Sequence, residues 1–193
     1  MASLPAHLNL AIANIGKLSD GPDVVRLAGE LGKAYPQFAG YYREAGPGTA
    51  WCGIFCAWCL TKSGVEVGGP RNGVGPMYVN WWLNYGTEVP VHQRQPGDLA
   101  LWLGNPSPHH IAMVGDQEDY IGGNQADTVC RRHFRTPDAV RRPPAPGKKP
   151  TAGWKTPSCR PIRCRPSGSS WPIRGPAAIW NSTVANCSRI RRR

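Results

Sequence analysis

Apolar residues in the first third of the chain recur at steps of three and four. In HLNLAIANI (residues 7–15), Leu8, Ile12 and Ile15 share one helical face and Gly16 supplies a stop. In PDVVRLAGELGKA (22–34), Val24, Leu27, Ala28 and Leu31 form a second stripe, opened by Pro22. FAGYYREAGPGT ends in a Gly- and Pro-rich loop. Beyond it Trp51, Ile54, Phe55 and Trp58 return at helical spacing, with Thr49 expected as N-cap and Gly64 as terminator. GGPRNGVGP reads as a loop and MYVNWWLNYG as a short helix.

The period then drops to two. QPGDLALWLG is a Pro96-Gly97-Asp98 turn followed by a buried strand over Leu99 to Leu103. HHIAMVG (109–115) is a second strand, with His110, Ala112 and Val114 on one face and His109, Ile111 and Met113 on the other. DQED is a turn and YIGG starts a third strand. Helices followed by a meander of strands predict an α+β fold in which N-terminal helices pack on a small antiparallel sheet. No repeat is visible, and no apolar run approaches a membrane span. The N-terminus lacks a basic segment followed by an unbroken apolar stretch, so synthesis in the cytoplasm without a signal peptide is expected.

Charge divides this chain of 193 residues. All 12 acidic residues lie at or before Asp138, together with 10 of the 23 Lys and Arg; the other 13 basic residues fall between Arg141 and Arg193. The expected organisation is a near-neutral domain over residues 1–144 and a basic, Pro- and Arg-rich tail over 145–193. The tail's charge and frequent prolines predict disorder. An anionic polymer is its candidate partner, whether wall polymer, membrane surface or nucleic acid. The seven cysteines, four in the body and three in the tail, lack the spacing of a disulfide scaffold and suggest a reducing compartment.

Cys52, Cys56 and Cys59 spell C-x3-C-x2-C, the ligand spacing of the iron–sulfur site in radical S-adenosylmethionine enzymes. On a helix these positions form a stripe about 10 Å long, at ~1.5 Å per residue, and cannot converge on one small cluster. Zinc needs the same convergence and a fourth ligand. No metal or organic cofactor is therefore expected, and Cys56 and Cys59 read as small core residues. Cys52 differs because a thiol in the first turn of a helix faces unpaired N–H groups and the positive end of the dipole. Such a nucleophile needs a base, which His110 can supply, and a polar residue to orient the imidazole, either Asn124 or Gln125 in YIGGNQ. Asp98 belongs to its turn. Tyr41, Tyr42, Trp81 and Trp82 could line a groove, although core positions suit them better.

Four blocks, WCGIFCAWCL, QPGDLALW, HHIAMVG and GGNQADTV, follow one another in an order and spacing that resemble the NlpC/P60 and CHAP group of papain-like cysteine peptidases, close to a phage-associated peptidoglycan hydrolase family. The resemblance spans most of residues 7–144 and none of the tail. It implies a papain-like fold and a monomer that hydrolyses a peptide or amide bond in the stem or cross-link of bacterial cell-wall peptidoglycan. It places the nucleophile on Cys52, the base on His110 and the third residue on Asn124. Trp51, His109 and Gln125 are expected to contact substrate. A phage lysin released to the wall by a holin would fit the missing signal peptide. The family's glycines before and two residues after the histidine are His109 and Ala112 here. Two other readings stay open: a catalytically inactive papain-fold module that binds wall, and a polyanion-binding protein run by the tail.

Overall fold

A computed structural model describes residues 3–70, 73–104 and 109–147. The second amphipathic stripe forms α2 (Pro22–Ala34), which buries Val24, Leu27, Ala28 and Leu31 as expected. The first forms α1 (Ala6–Ala13), which buries Leu8 and Ala11 and leaves Ile12 and Ile15 half-buried. The helix stops short of Ile15 because Asn14 turns its side-chain nitrogen back onto the Leu10 carbonyl at 2.8 Å. A turn of 3-10 helix, Pro36–Phe38, leads into the short α3 (Ala39–Arg43). Next comes α4 (Cys52–Lys62), buried on all sides from Cys52 to Leu60 and so the central helix of the fold.

The start of α4 differs from expectation. Its N-cap is Trp51, and Thr49 instead accepts the Gly46 N–H at 2.9 Å, closing the preceding loop on itself. The end agrees. Val65 N–H reaches Leu60 O (3.0 Å), Gly64 N–H reaches Thr61 O (3.1 Å), and Gly64 has φ +75°, the left-handed C-terminal motif that glycine permits.

Six strands form one antiparallel sheet: β1 (Thr87–Val89), β2 (Leu99–Trp102), β3 (His110–Val114), β4 (Tyr120–Gly122), β5 (Cys130–Arg132) and β6 (Ala139–Arg142). Their order across the sheet is β1-β6-β2-β3-β4-β5. The apolar pattern locates β2, β3 and β4. It misses β1, β5 and β6, whose short segments carry Glu88, Arg131, Arg132, Arg141 and Arg142 and show no apolar alternation. The segment around Trp81 is a 3-10 helix, Val79–Asn84. Tyr42, Trp81 and Trp82 are core residues.

Strand alternation sorts the sheet into two faces. Leu99, Leu101, Ile111, Met113 and Ile121 join the helices in the main core, whereas Ala100, Trp102, Ala112, Val114 and Tyr120 form a smaller cluster on the other side. The Pro96-Gly97-Asp98 turn is pinned from both ends of the domain. His7 Nε2 donates to Gly97 O at 2.9 Å, and buried Asp98 takes a two-pronged ion pair from Arg142, both contacts at 2.8 Å. Beyond β6, Gly147 N–H bonds Gly64 O at 3.1 Å, so the ordered packing runs past the expected boundary at residue 144. The chain divides into units Met1–Trp154 and Lys155–Arg193. The expectations for the tail from residue 148 onward lie outside the described residues. Among the described residues, no helix is long and apolar enough to cross a membrane.

Candidate functional site

Cys52 is the first residue of α4. The helix start is seated by Gly53, where a Cβ would run into the Pro76 carbonyl, the same oxygen that accepts Trp82 Nε1–H at 2.9 Å. Cys52 is 2% exposed. Burial pushes its thiol pKa up, opposed by the backbone N–H groups of Ile111, Gly53 and Cys52 itself, which favour the thiolate. Burial wins, so the resting thiol is neutral. Cys56 and Cys59 are fully buried further along the helix, and burial raises both of their thiols well above the ordinary value.

His110 opens β3, one residue before the Ile111 amide that meets the Cys52 sulfur. Its half-buried ring lies on the Trp102 side of the sheet, with centroids 5.8 Å from Trp102 and 5.4 Å from Phe134. Burial lowers the imidazole pKa to about 4. No hydrogen bond joins Cys52 to His110; the sulfur packs with the main core and the ring with the opposite face.

The ring's partner is Gln125. The Gln125 amide faces the Cys130 carbonyl, which can only accept, so its nitrogen belongs on that side and donates at 2.8 Å. Its oxygen then accepts both His110 Nε2–H and Gly122 N–H, each at 3.2 Å. The arrangement places the imidazole hydrogen on Nε2 and leaves the lone pair on Nδ1. The Cys130 thiol donates to the Gln125 main-chain carbonyl at 3.3 Å and helps hold the same turn.

Both glycines of GGNQ are needed, each on a different face. A Cβ on Gly122 would crowd the Gln125 side-chain amide and Ala112; one on Gly123 would enter the Trp51 indole and touch Phe55. The WC and GGNQ motifs are thus two halves of one contact, with Trp51 laid over the Gly123 backbone.

The turn that presents Gln125 is strained. Asn124, Ala126 and Asp127 all have φ between +57° and +58°, a region that costs most L-residues roughly 1–2 kcal/mol each. The segment after α1 clamps it: Gly16 N–H to Val129 O (2.8 Å), Val129 N–H to Leu18 O (3.2 Å), Asp20 N–H to Asp127 O (3.2 Å) and Thr128 Oγ1–H to Leu18 O (2.9 Å).

The structure therefore brings His110 and Gln125 together and sets Cys52 against the next residue of β3. Asn124, the expected third residue, shapes the turn and does not bond the ring. Trp51 is fully buried, so its role here is packing and not substrate contact. Gln125 is buried with every amide atom engaged, and His109 is exposed beside the site. Phe134 and Cys130 follow no apolar period and carry no sequence signal; of the two orienting residues expected, Asn124 and Gln125, the ring's partner is Gln125. The chain matches no family model, and no curated protein is similar to it.

Proposed function

We propose that the chain is a papain-like cysteine hydrolase of the NlpC/P60 and CHAP type, cleaving a peptide or amide bond in peptidoglycan. The observation that carries this reading is an imidazole at the start of β3 whose tautomer is fixed by Gln125, on the strand that packs against the helix headed by the Cys52 thiol. With Nε2–H committed to Gln125, Nδ1 is the nitrogen able to take the Cys52 proton. Active-site hydrogen bonds commonly tighten only in the substrate complex, and this step needs Sγ and Nδ1 to meet there. The thiolate attacks the carbonyl carbon, and the N–H groups of the α4 start and Ile111 stabilise the negative charge. His110 then passes its proton to the leaving amine, and water hydrolyses the thioester.

The test is mass spectrometry of purified muropeptides after incubation with the wild type and with Cys52→Ser. New fragments from the wild type alone support the reading, and unchanged muropeptides reject it.

A second reading, a catalytically inactive papain-fold module that binds wall or polyanion, is favoured by one feature: Cys52 is buried with a raised thiol pKa and no bond to His110. The pH dependence of Cys52 alkylation separates the two. A site that never forms the thiolate gives the profile of an unactivated thiol and binds insoluble wall without releasing fragments.

A further inference from the structure

Phe134 is one of four exposed large apolar residues among those described, with 40% of its surface open. Scattered singly, such residues are ordinary. Phe134 differs in its neighbours and in how it is held. Its ring is packed on one side by Trp102 (4.9 Å), His110 (5.4 Å) and Tyr120 (6.2 Å), so the open side continues the surface of the imidazole.

The β5–β6 loop that carries it is tied to the β2 segment by three bonds and braced internally by an ion pair. Trp102 Nε1–H bonds Arg135 O at 2.9 Å, and Arg135 grips Asp138 through two contacts of 2.9 Å. Asp138 Oδ2 accepts Leu103 N–H at 2.8 Å, and Asp138 N–H bonds Leu101 O at 2.8 Å. An aromatic ring left in water on a loop clamped to the neighbouring strand is pre-organised to receive something apolar.

Its position says which part of a substrate that would be. In amide hydrolysis the imidazole delivers its proton to the departing nitrogen, so the group bearing that nitrogen must lie against His110. Phe134 is the exposed apolar surface next to that ring. We propose that Phe134 forms the substrate-contacting wall on the leaving-group side, taking the aliphatic side chain of the residue whose amine is released. The assignment rests on the cysteine-hydrolase reading above.

The experiment uses the full chain and the bond identified in the muropeptide assay, presented in two synthetic substrates. One releases an amine from alanine or a larger aliphatic residue, the other from glycine. Wild type is expected to favour the aliphatic substrate. Phe134→Ala should lower kcat/KM for that substrate roughly tenfold, the low end for an apolar contact. The loss on the glycine substrate should be several-fold smaller, and Phe134→Leu should lie between. Because the ring also packs on Trp102, the thermal midpoint and the rate of Cys52 alkylation by a small reagent report whether each variant keeps the site. Equal losses on both substrates, with a shifted pH profile, would show that the ring only shields His110 and would overturn the proposal. Identical kinetics for Phe134→Ala and wild type on both substrates would overturn it too. A wild type that cuts neither substrate removes the hydrolase reading, and this assignment falls with it.

Discussion

Gln125 accepts the Nε2 hydrogen of His110, and the Cys130 carbonyl fixes the amide so that it cannot do otherwise. The orientation of one imidazole is thus set by main-chain atoms two strands away. Gln125→Ala should reduce turnover by less than the ~100- to 10,000-fold that general acid–base catalysis itself contributes, whereas His110→Ala should lose that contribution in full. Gln125→Glu puts a carboxylate beside Nε2 and should move the acidic limb of the pH–rate profile upward from about 4. Asn124→Ala should alter the profile least. An unchanged profile in Gln125→Glu would show that the pair is not part of the working site.

Stability should fall in acid ahead of the carboxylate range. His110 has a folded-state pKa of about 4 against 6.5 unfolded, and His7 is also lowered, in both cases chiefly by burial. The unfolded chain therefore binds more protons in this window. Stability is full above pH 6.5 and declines as pH falls toward 4, by at most about 3 kcal/mol from His110 at 1.36 kcal/mol per pH unit. Below pH 4.5 a different group takes over. Glu30 is held to about 2 mainly by Lys62 and then by Trp58, so its contribution is present above 4.5 and lost as pH falls through 2. Thermal midpoints from pH 7 to 4 should drop in the wild type and drop less in His110→Gln.

The four cysteines among the described residues should separate by labelling. Cys130 is half-buried, Cys52 nearly closed, and Cys56 and Cys59 sealed and protonated. Brief alkylation of the native protein, read by peptide mass spectrometry, should modify Cys130 and Cys52 and spare the other two until unfolding. Cys52→Ser should abolish hydrolysis. Cys56→Ala and Cys59→Ala should keep it, each at a stability cost on the order of 1 kcal/mol for the lost sulfur.

Gly123→Ala forces a methyl into the Trp51 indole and should destabilise by about 1–3 kcal/mol, seen as a lower denaturant midpoint with an unchanged slope. Ala126→Gly should act in the opposite sense, because glycine relieves a left-handed conformation that costs alanine ~1 kcal/mol. A neutral Gly123→Ala would mean that the two motifs do not depend on each other.

Truncation is best placed after Gly147, because a cut after Pro144 removes the bond from Gly147 N–H to Gly64 O. Removing residues 148–193 takes away 11 basic residues and no acidic ones. It is expected to leave the thermal midpoint nearly unchanged and to weaken adhesion to anionic surfaces at low salt, where screening is least. A truncated protein that aggregates would show that the folded domain needs the removed segment.

The stripe of Val24, Leu27, Ala28 and Leu31 and the alternation of Ile111 and Met113 against Ala112 and Val114 were legible because burial imposes a period on the sequence. Charged β5 and β6 impose none, since their register comes from pairing with β4 and β2. The position of Cys52 at the head of α4 could be read from a Gly/Pro loop followed by an apolar helix. The partner of His110 could not be fixed from GGNQ alone. In that turn Asn124 takes a left-handed conformation, and it is the next residue whose side chain reaches the ring. Phe134 carries no sequence signal, because its placement depends on Trp102 of β2 and on the bonds by which Asp138 pins their shared loop to that strand.

The clamp between residues 16–20 and 127–129 has a consequence for when the site comes into being. Thr128 and Leu18 stand 110 positions apart, and their bond cannot form until most of the domain has been synthesised. At ~5–20 residues per second the growing chain spends several seconds with its thiol-bearing helix made and its Gln125 turn absent. A nascent or prematurely terminated chain therefore carries Cys52 before Gln125 is in place to hold the His110 ring. The same clamp means that local opening of residues 16–20 slackens the turn that holds Gln125.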